Sequence, residues 1–197
     1  MYKKTPKELR TGTNLSNKRI PDIVRLVVLF LLFAGVNPGT ISQVADSVGY
    51  IVRIGEQAPD FEFEYANGEK ARLSDYSGKI VMLQFTASWC KVCREEMPHI
   101  EKEIWNNYKD KGLVLIGIDR DEPGDKVNAF AGKMKITYPL ALDPGAGIFS
   151  LYALKESGVT RNVIIDRNGQ IAFLTRLYKP DEFQKMVRVI DKLINQP

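Results

Sequence analysis

From Gly55 onward, runs of alternating or unbroken apolar residues give way repeatedly to apolar residues spaced three and four apart. "FEFEY" and "KARL" alternate with period two around Ala66-Asn67-Gly68, the pattern of a β-hairpin with an Asn-Gly turn. "KIVMLQFTA" (79–87) and "LVLIGID" (113–119) are nearly unbroken apolar runs, as expected of strands buried on both faces. Between them Met97, Ile100, Ile104 and Tyr108 recur at helical spacing, which predicts an amphipathic helix over 91–110. "DKVNAFAGKM" reads as a second helix, "YPLAL" (138–142) as a short strand and "AGIFSLYAL" (146–154) as another helix. "NVIID" and "IAFLTRL" flank Arg167-Asn168-Gly169 as a second hairpin, and a closing helix starts near Pro180, where proline suits the first turn. The order predicts an α/β sandwich around a mixed sheet, with one domain over 55–197.

The first 54 residues read differently. Leu26 to Val36, "LVVLFLLFAGV", is the one long apolar run upstream of the domain, and it ends at Asn37-Pro38-Gly39. Eleven residues fall short of the ~20 needed to cross a bilayer as a helix. A basic leader, a short apolar stretch and the small residues at 44–47 fit a secretory signal, with an uncleaved membrane anchor and a buried core helix as alternatives. Residues 1–36 are thus expected to be a signal peptide or anchor and 37–54 a linker. With residues 1–25 on the cytoplasmic side, the domain lies in the periplasm or on the outer face of the inner membrane, where disulfides persist. No cysteine lies near the apolar run to carry a lipid.

Charge reinforces this division. The formal +4 of the chain is concentrated in residues 1–25, whose seven basic and two acidic groups make +5 and leave −1 for the remainder. The domain is close to neutral, so no nucleic-acid partner is indicated.

Both cysteines lie in "FTASWCKVCREEMPHIE", three positions apart. As a staple the pair would do little, because the entropy model assigns only ~2 kcal/mol to so short a loop. Zinc needs four ligands, and Cys90, Cys93 and the single His99 supply fewer, so no metal or other cofactor is expected. Covalent haem attachment needs histidine after the second cysteine, where Arg94 stands. A redox role fits the position: Cys90 follows a buried strand and opens a helix, next to unsatisfied N–H groups and the positive end of the helix dipole. At an ordinary thiol pKa of ~8.5 only ~3% is ionised at neutral pH, and CxxC motifs at helix starts commonly reach ~7 or lower. Lys91 offers further charge to a Cys90 thiolate, and Cys93, one turn on, is placed to attack a mixed disulfide on Cys90.

"WCKVC" after an apolar strand, followed by "REEMP", resembles the thioredoxin fold and within it the exported, TlpA/ResA-like thiol-disulfide oxidoreductases. The entry segment carries the likeness through Gly55, Ala58, Pro59, Phe61, Leu73, Gly78, Lys79 and Trp89-Cys90. The resemblance implies a thioredoxin-like three-layer sandwich with a mixed central sheet, an N-terminal hairpin and a strand-helix insertion. It also implies a redox-active Cys90–Cys93 pair, with Cys90 as nucleophile, Cys93 as resolving thiol, and Glu96 and Pro98 matching the family's W-C-x-x-C-x-x-E-x-P pattern. Glu96 is expected to tune the thiols and move protons, and Trp89 to pack beside the pair. Implied partners are exported thiol or disulfide proteins, a membrane or periplasmic electron donor, and the inner membrane itself if the leader is retained. The exchange is expected to run reductively, and the family is often linked to cytochrome c maturation.

Two positions depart from the family. Val92 stands where many relatives carry proline, and Thr160 stands where a cis-proline usually faces the dithiol. Thr160 and Arg161 are therefore expected to wall the substrate groove opposite Cys90, with Trp89 and Lys91 on the near side. Two further functions share this fold. A peroxiredoxin-like thiol peroxidase requires proline and threonine where Leu83 and Ala87 stand, and a copper-delivery protein requires a histidine downstream of His99, where there is none. "DRDE" (119–122) reads as a polar loop tip.

Overall fold

A computed structural model describes Asp46 and residues 48–196. The expectations for residues 1–36 and for the first part of the linker lie outside the described residues.

Among the described residues seven strands form one mixed sheet in the order β2-β1-β5-β4-β3-β6-β7. They are β1 Glu62–Tyr65, β2 Lys70–Arg72, β3 Ile80–Thr86, β4 Leu113–Arg120, β5 Leu140–Asp143, β6 Arg161–Ile165 and β7 Ile171–Arg176. β3 lies parallel to β4 and antiparallel to β6. Every residue of β3 is buried, as its apolar run predicts. Side chains alternate across the pleat: Ile80 and Met82 enter one core, Val81, Leu83 and Phe85 the other. Both predicted hairpins form, with Gly68 (φ 89°) and Gly169 (φ 78°) in the left-handed region that the turns require.

Three helices cover the Ile80/Met82 face: α1 Lys91–His99, α2 Gly124–Met134 and α3 Pro180–Asn195. α1 runs on through a π-helical stretch, Ile100–Trp105, and a last turn, Asn106–Tyr108. Pro98 has no N–H to give and disrupts the ladder just before that stretch. The widening is explicit where Asn106 N–H reaches back five residues to Glu101 O. Met97, Ile100, Ile104 and Tyr108 remain buried, so the helix keeps its expected apolar face.

The opposite face departs from expectation twice. Residues 146–154 form no continuous helix; two short 3-10 turns, Pro144–Ala146 and Phe149–Leu151, stand in its place. The Asp143 carboxylate takes the N–H groups of Ile148 (2.8 Å) and Phe149 (2.9 Å), and Gly145 and Ala146 both turn to positive φ, which fixes the chain locally in place of a helical ladder. Second, residues 48–54, expected as linker, are packed onto the domain. Tyr50 and Val52 are buried, Ile51 N–H donates to Tyr152 O and Leu154 N–H to Gly49 O. This strap and the aromatic rings of Phe61, Phe149 and Tyr152 form the layer that helices would otherwise supply.

Candidate active site

β3 ends at Thr86, and the loop Ala87-Ser88-Trp89 delivers Cys90 to the N-cap of α1. Cys90 and Cys93 form a disulfide. The Cys90 sulfur accepts the Cys93 N–H at 3.1 Å, so it occupies the place a capping oxygen would take. That N–H and the helix dipole both favour a thiolate at Cys90 once the pair is reduced. The two cysteines differ in access: Cys90 is 8% exposed and Cys93 is fully buried. Trp89 is 57% exposed beside the pair and Lys91 is exposed on the next residue, whereas Val92 packs against the core.

Thr160 comes to the sulfurs from the residue just before β6. Its hydroxyl oxygen lies 3.1 Å from the Cys90 sulfur and 3.2 Å from that of Cys93. The Val159–Thr160 peptide is trans, for no cis peptide occurs among the described residues. Arg161 does not join it, and the expectation that Arg161 walls the groove is corrected. Successive residues of a strand point to opposite faces, and Arg161 sits opposite Phe85 on the aromatic side of the sheet, fully buried. Its guanidinium lies 4.5 Å from the Tyr50 ring centre and 5.9 Å from that of Phe149, and its Nη2 donates to Val48 O at 2.7 Å. Burial pulls its pKa down from the usual arginine range.

Beneath the dithiol lies a polar layer. Glu96 is almost wholly buried; its Oε1 accepts from Asn162 Nδ2 at 2.8 Å, and its Oε2 has no partner among the described residues. Asn162 also donates to Thr175 Oγ1 at 2.8 Å, and Tyr138 donates to Gln84 Oε1 at 2.7 Å. Burial pushes the Glu96 carboxyl up to about 8, against the pull of the Asn162 hydrogen bond. Asn162 is two residues beyond Thr160, about 7 Å along the strand, and successive residues alternate between faces, so both side chains lie on the same face of the sheet. A carboxyl with that pKa is matched to proton transfer near neutrality.

An acid pair, Asp119 and Glu122, supports the loop itself, and the plain loop-tip reading of "DRDE" is corrected here. β4 runs parallel to β3, so Asp119 pairs with Thr86 and the residues after β4 meet the loop before Cys90. Glu122, buried, accepts from Ser88 N–H at 2.5 Å and Ser88 Oγ at 2.6 Å, and pairs with Lys126 Nζ at 2.5 Å. From the other side Arg94 donates to Ser88 O at 2.5 Å. Burial raises Glu122, but the Lys126 and Ser88 contacts outweigh it and hold the carboxyl below the usual range. Asp119, buried and next to the Glu122 charge, is pushed up to about 8. Glu122→Ala leaves the Ser88 donors without their partner and is expected to cost about 2 kcal/mol in urea unfolding; a cost under about 0.5 kcal/mol would mean the clamp is dispensable.

Leu83 and Ala87, where a peroxidase of this fold needs proline and threonine, are fully buried and offer no hydroxyl. No group of three or more metal-ligating side chains occurs among the described residues.

Comparison with known proteins agrees with this geometry. Residues 54–174 match the model of the AhpC/TSA family. The thiol-disulfide oxidoreductase ResA of Bacillus cereus is 32% identical over 145 residues, spanning 74% of this chain and 82% of the relative. ResA of Geobacillus kaustophilus is 32% identical over 149 residues, 76% of this chain and 83% of the relative. A solution structure from Bacteroides thetaiotaomicron, proposed to be a protein disulfide isomerase, is 58% identical with a TM-score of 0.74, covering 77% of this chain and 96% of that one. A Chlorobium tepidum crystal structure, proposed as the thiol:disulfide interchange protein DsbE, is 26% identical with a TM-score of 0.65, covering 73% and 99%. With a Cys90–Cys93 pair at the head of α1 in a thioredoxin-like α/β fold, the chain belongs to the AhpC/TSA family as a TlpA/ResA-like thiol-disulfide oxidoreductase.

Proposed function

We propose that this oxidoreductase reduces disulfides of exported proteins on the outer side of the inner membrane, with Cys90 attacking, Cys93 resolving and Glu96 handling protons. The asymmetry of the dithiol carries the order of attack: of the two cysteines only Cys90 has any exposure, and its sulfur also holds the N-cap. The reduced Cys90 thiolate attacks a substrate disulfide, forming a Cys90–substrate bond and releasing one substrate sulfur as thiolate. Cys93 loses its proton toward Glu96 or water, attacks the Cys90 sulfur, and releases the second substrate thiolate. Two electrons pass to the substrate and the Cys90–Cys93 disulfide remains, to be reduced in turn by a membrane or periplasmic donor. Trp89 offers an apolar exposed contact beside Cys90, and Lys91 a charge. The basic, apolar leader supports export, whether the leader is cleaved or kept as an anchor. A place among the proteins that prepare cytochrome c thiols for haem is one role consistent with reductive exchange.

The full chain carrying Cys93→Ala is expected to accumulate mixed disulfides with exported proteins through Cys90, and the unmodified chain to show a two-electron couple against glutathione buffers. Trapping through Cys93 in a Cys90→Ala chain, but not the reverse, would overturn the order of attack.

A further inference from the structure

We infer that the Thr160 hydroxyl is a catalytic hydrogen-bond donor shared between the two sulfurs, serving Cys90 when it attacks and Cys93 when it resolves. The inference rests on the proposed order of attack for its timing, but its geometry stands apart from that order. Thr160 Oγ1 is nearly equidistant from the two sulfurs, at 3.1 and 3.2 Å. Disulfide sulfurs carry no hydrogen, so in the oxidised protein the single hydroxyl hydrogen is the one available to either contact. The residue is held firmly: it is buried, its carbonyl accepts the Leu177 N–H at 3.1 Å, and a β-branched side chain has few χ1 states. The hydroxyl therefore keeps its place whichever sulfur bears the charge.

The two sulfurs begin unequal. Cys90 has a second donor, the Cys93 N–H, while the Thr160 hydroxyl is the only hydrogen-bond partner recorded for the Cys93 sulfur among the described residues. In the reduced protein the stronger acceptor is the Cys90 thiolate, and the hydroxyl turns to it. Once Cys90 is bonded to a substrate sulfur it has lost its charge and accepts weakly. The hydroxyl is then free for Cys93, whose thiol must shed a proton before it can attack. That proton goes to Glu96 or water, the Cys93–Cys90 bond forms, the Cys90–substrate bond breaks, and the electron pair leaves with the substrate sulfur. One rotating O–H thus lowers the acidity barrier at two successive steps, at the position where relatives place a proline that has no side-chain donor.

Thr160→Val removes the hydroxyl and keeps the shape, and Thr160→Ser keeps the hydroxyl and removes the methyl. The acidity of each sulfur is read from ultraviolet thiolate absorbance in reduced full chains carrying Cys93→Ala or Cys90→Ala. The lifetime of the mixed disulfide is read in the two-cysteine chain after a single turnover with glutathione disulfide. Loss of a hydrogen bond to a charged sulfur predicts about one pKa unit, or about tenfold, at each sulfur in the valine chain, and about tenfold slower decay of the mixed disulfide. Serine is expected to stay within about twofold of threonine on both readouts. A purely structural role would be disturbed by the loss of the methyl and would spare valine, so the opposite ranking overturns the inference. So does a valine chain whose sulfurs titrate as in threonine, or one in which Cys90 shifts while mixed-disulfide decay is unchanged. Failure of the attack order would show separately, as trapping through Cys93, and would leave the two acidity measurements intact.

Discussion

Replacing Glu96 by glutamine is expected to stabilise the oxidised protein at about pH 8 by on the order of 3 kcal/mol, and to leave it near wild type at low pH. In the unfolded chain the Glu96 carboxyl ionises near its ordinary 4.5, whereas in the folded protein burial delays this to about 8. Between those values the unfolded state has released a proton that the folded state keeps, so raising the pH favours unfolding. Below 4.5 both states are protonated and nothing is lost; above about 8 both are ionised and the loss is complete. Each pH unit between them is worth up to ~1.4 kcal/mol, which relaxation around the buried charge reduces. Glutamine keeps an oxygen for the Asn162 donor but never ionises. Urea unfolding of the oxidised protein, in which the cysteines do not titrate, at about pH 5 and pH 8 reads the effect. Some slope will persist because Asp119 is pushed up to about 8 as well. A variant whose stability declines with pH as steeply as wild type would show that Glu96 is not the group responsible. The same variant is expected to resolve mixed disulfides more slowly, since an amide cannot accept the Cys93 proton.

The second large effect is a contrast at Arg161. Arg161→Ala is expected to cost about 3–5 kcal/mol, because it opens a cavity between the Tyr50 and Phe149 rings and removes the donor to Val48 O. Arg161→Met, which fills most of that volume without a charge, is expected to fall within about 1.5 kcal/mol of wild type. Nε and Nη1 of this buried guanidinium have no hydrogen-bond partner among the described residues, so much of its charge is a desolvation burden that methionine lacks. Urea midpoints of the two variants decide the matter. If methionine is as damaging as alanine, the cation on the rings matters more than the filled volume.

The strands and hairpins were legible because their signals are local. "KIVMLQFTA" could hardly be anything but a central strand, and Asn67-Gly68 and Asn168-Gly169 mark turns that need positive φ. The dithiol was legible for the same reason, since Cys90, Cys93, Glu96 and Pro98 lie within nine residues of one another. What escaped depends on partners far along the chain. Residues 48–54 look like linker until Tyr152 and Ala153 supply the other half of a bridge to Tyr50. The stretch 146–154 has helical periodicity, but the Asp143 side chain captures the amides that a helix would use. Arg161 is expected in the groove only because it follows Thr160 in the chain, whereas strand alternation sends it to the other face. The buried polar layer leaves a trace in the sequence: Gln84 and Asn162 interrupt largely apolar strands, and they stand opposite each other in the β3–β6 pairing.

Glu122 lies in the β4–α2 connection and Lys126 in the first turn of α2, outside the strand-loop-helix unit that carries the cysteines, yet the loop before Cys90 is fastened to Glu122, which Lys126 holds. The redox unit is therefore not portable. Transplanting 80–99 into a smaller thioredoxin scaffold that lacks this connection would leave Ser88 to find other acceptors, and the grafted Cys90 would start from a different loop geometry. Conversely, a designer wishing to retune the pair without touching the cysteines or their neighbours in sequence has a handle more than thirty residues away.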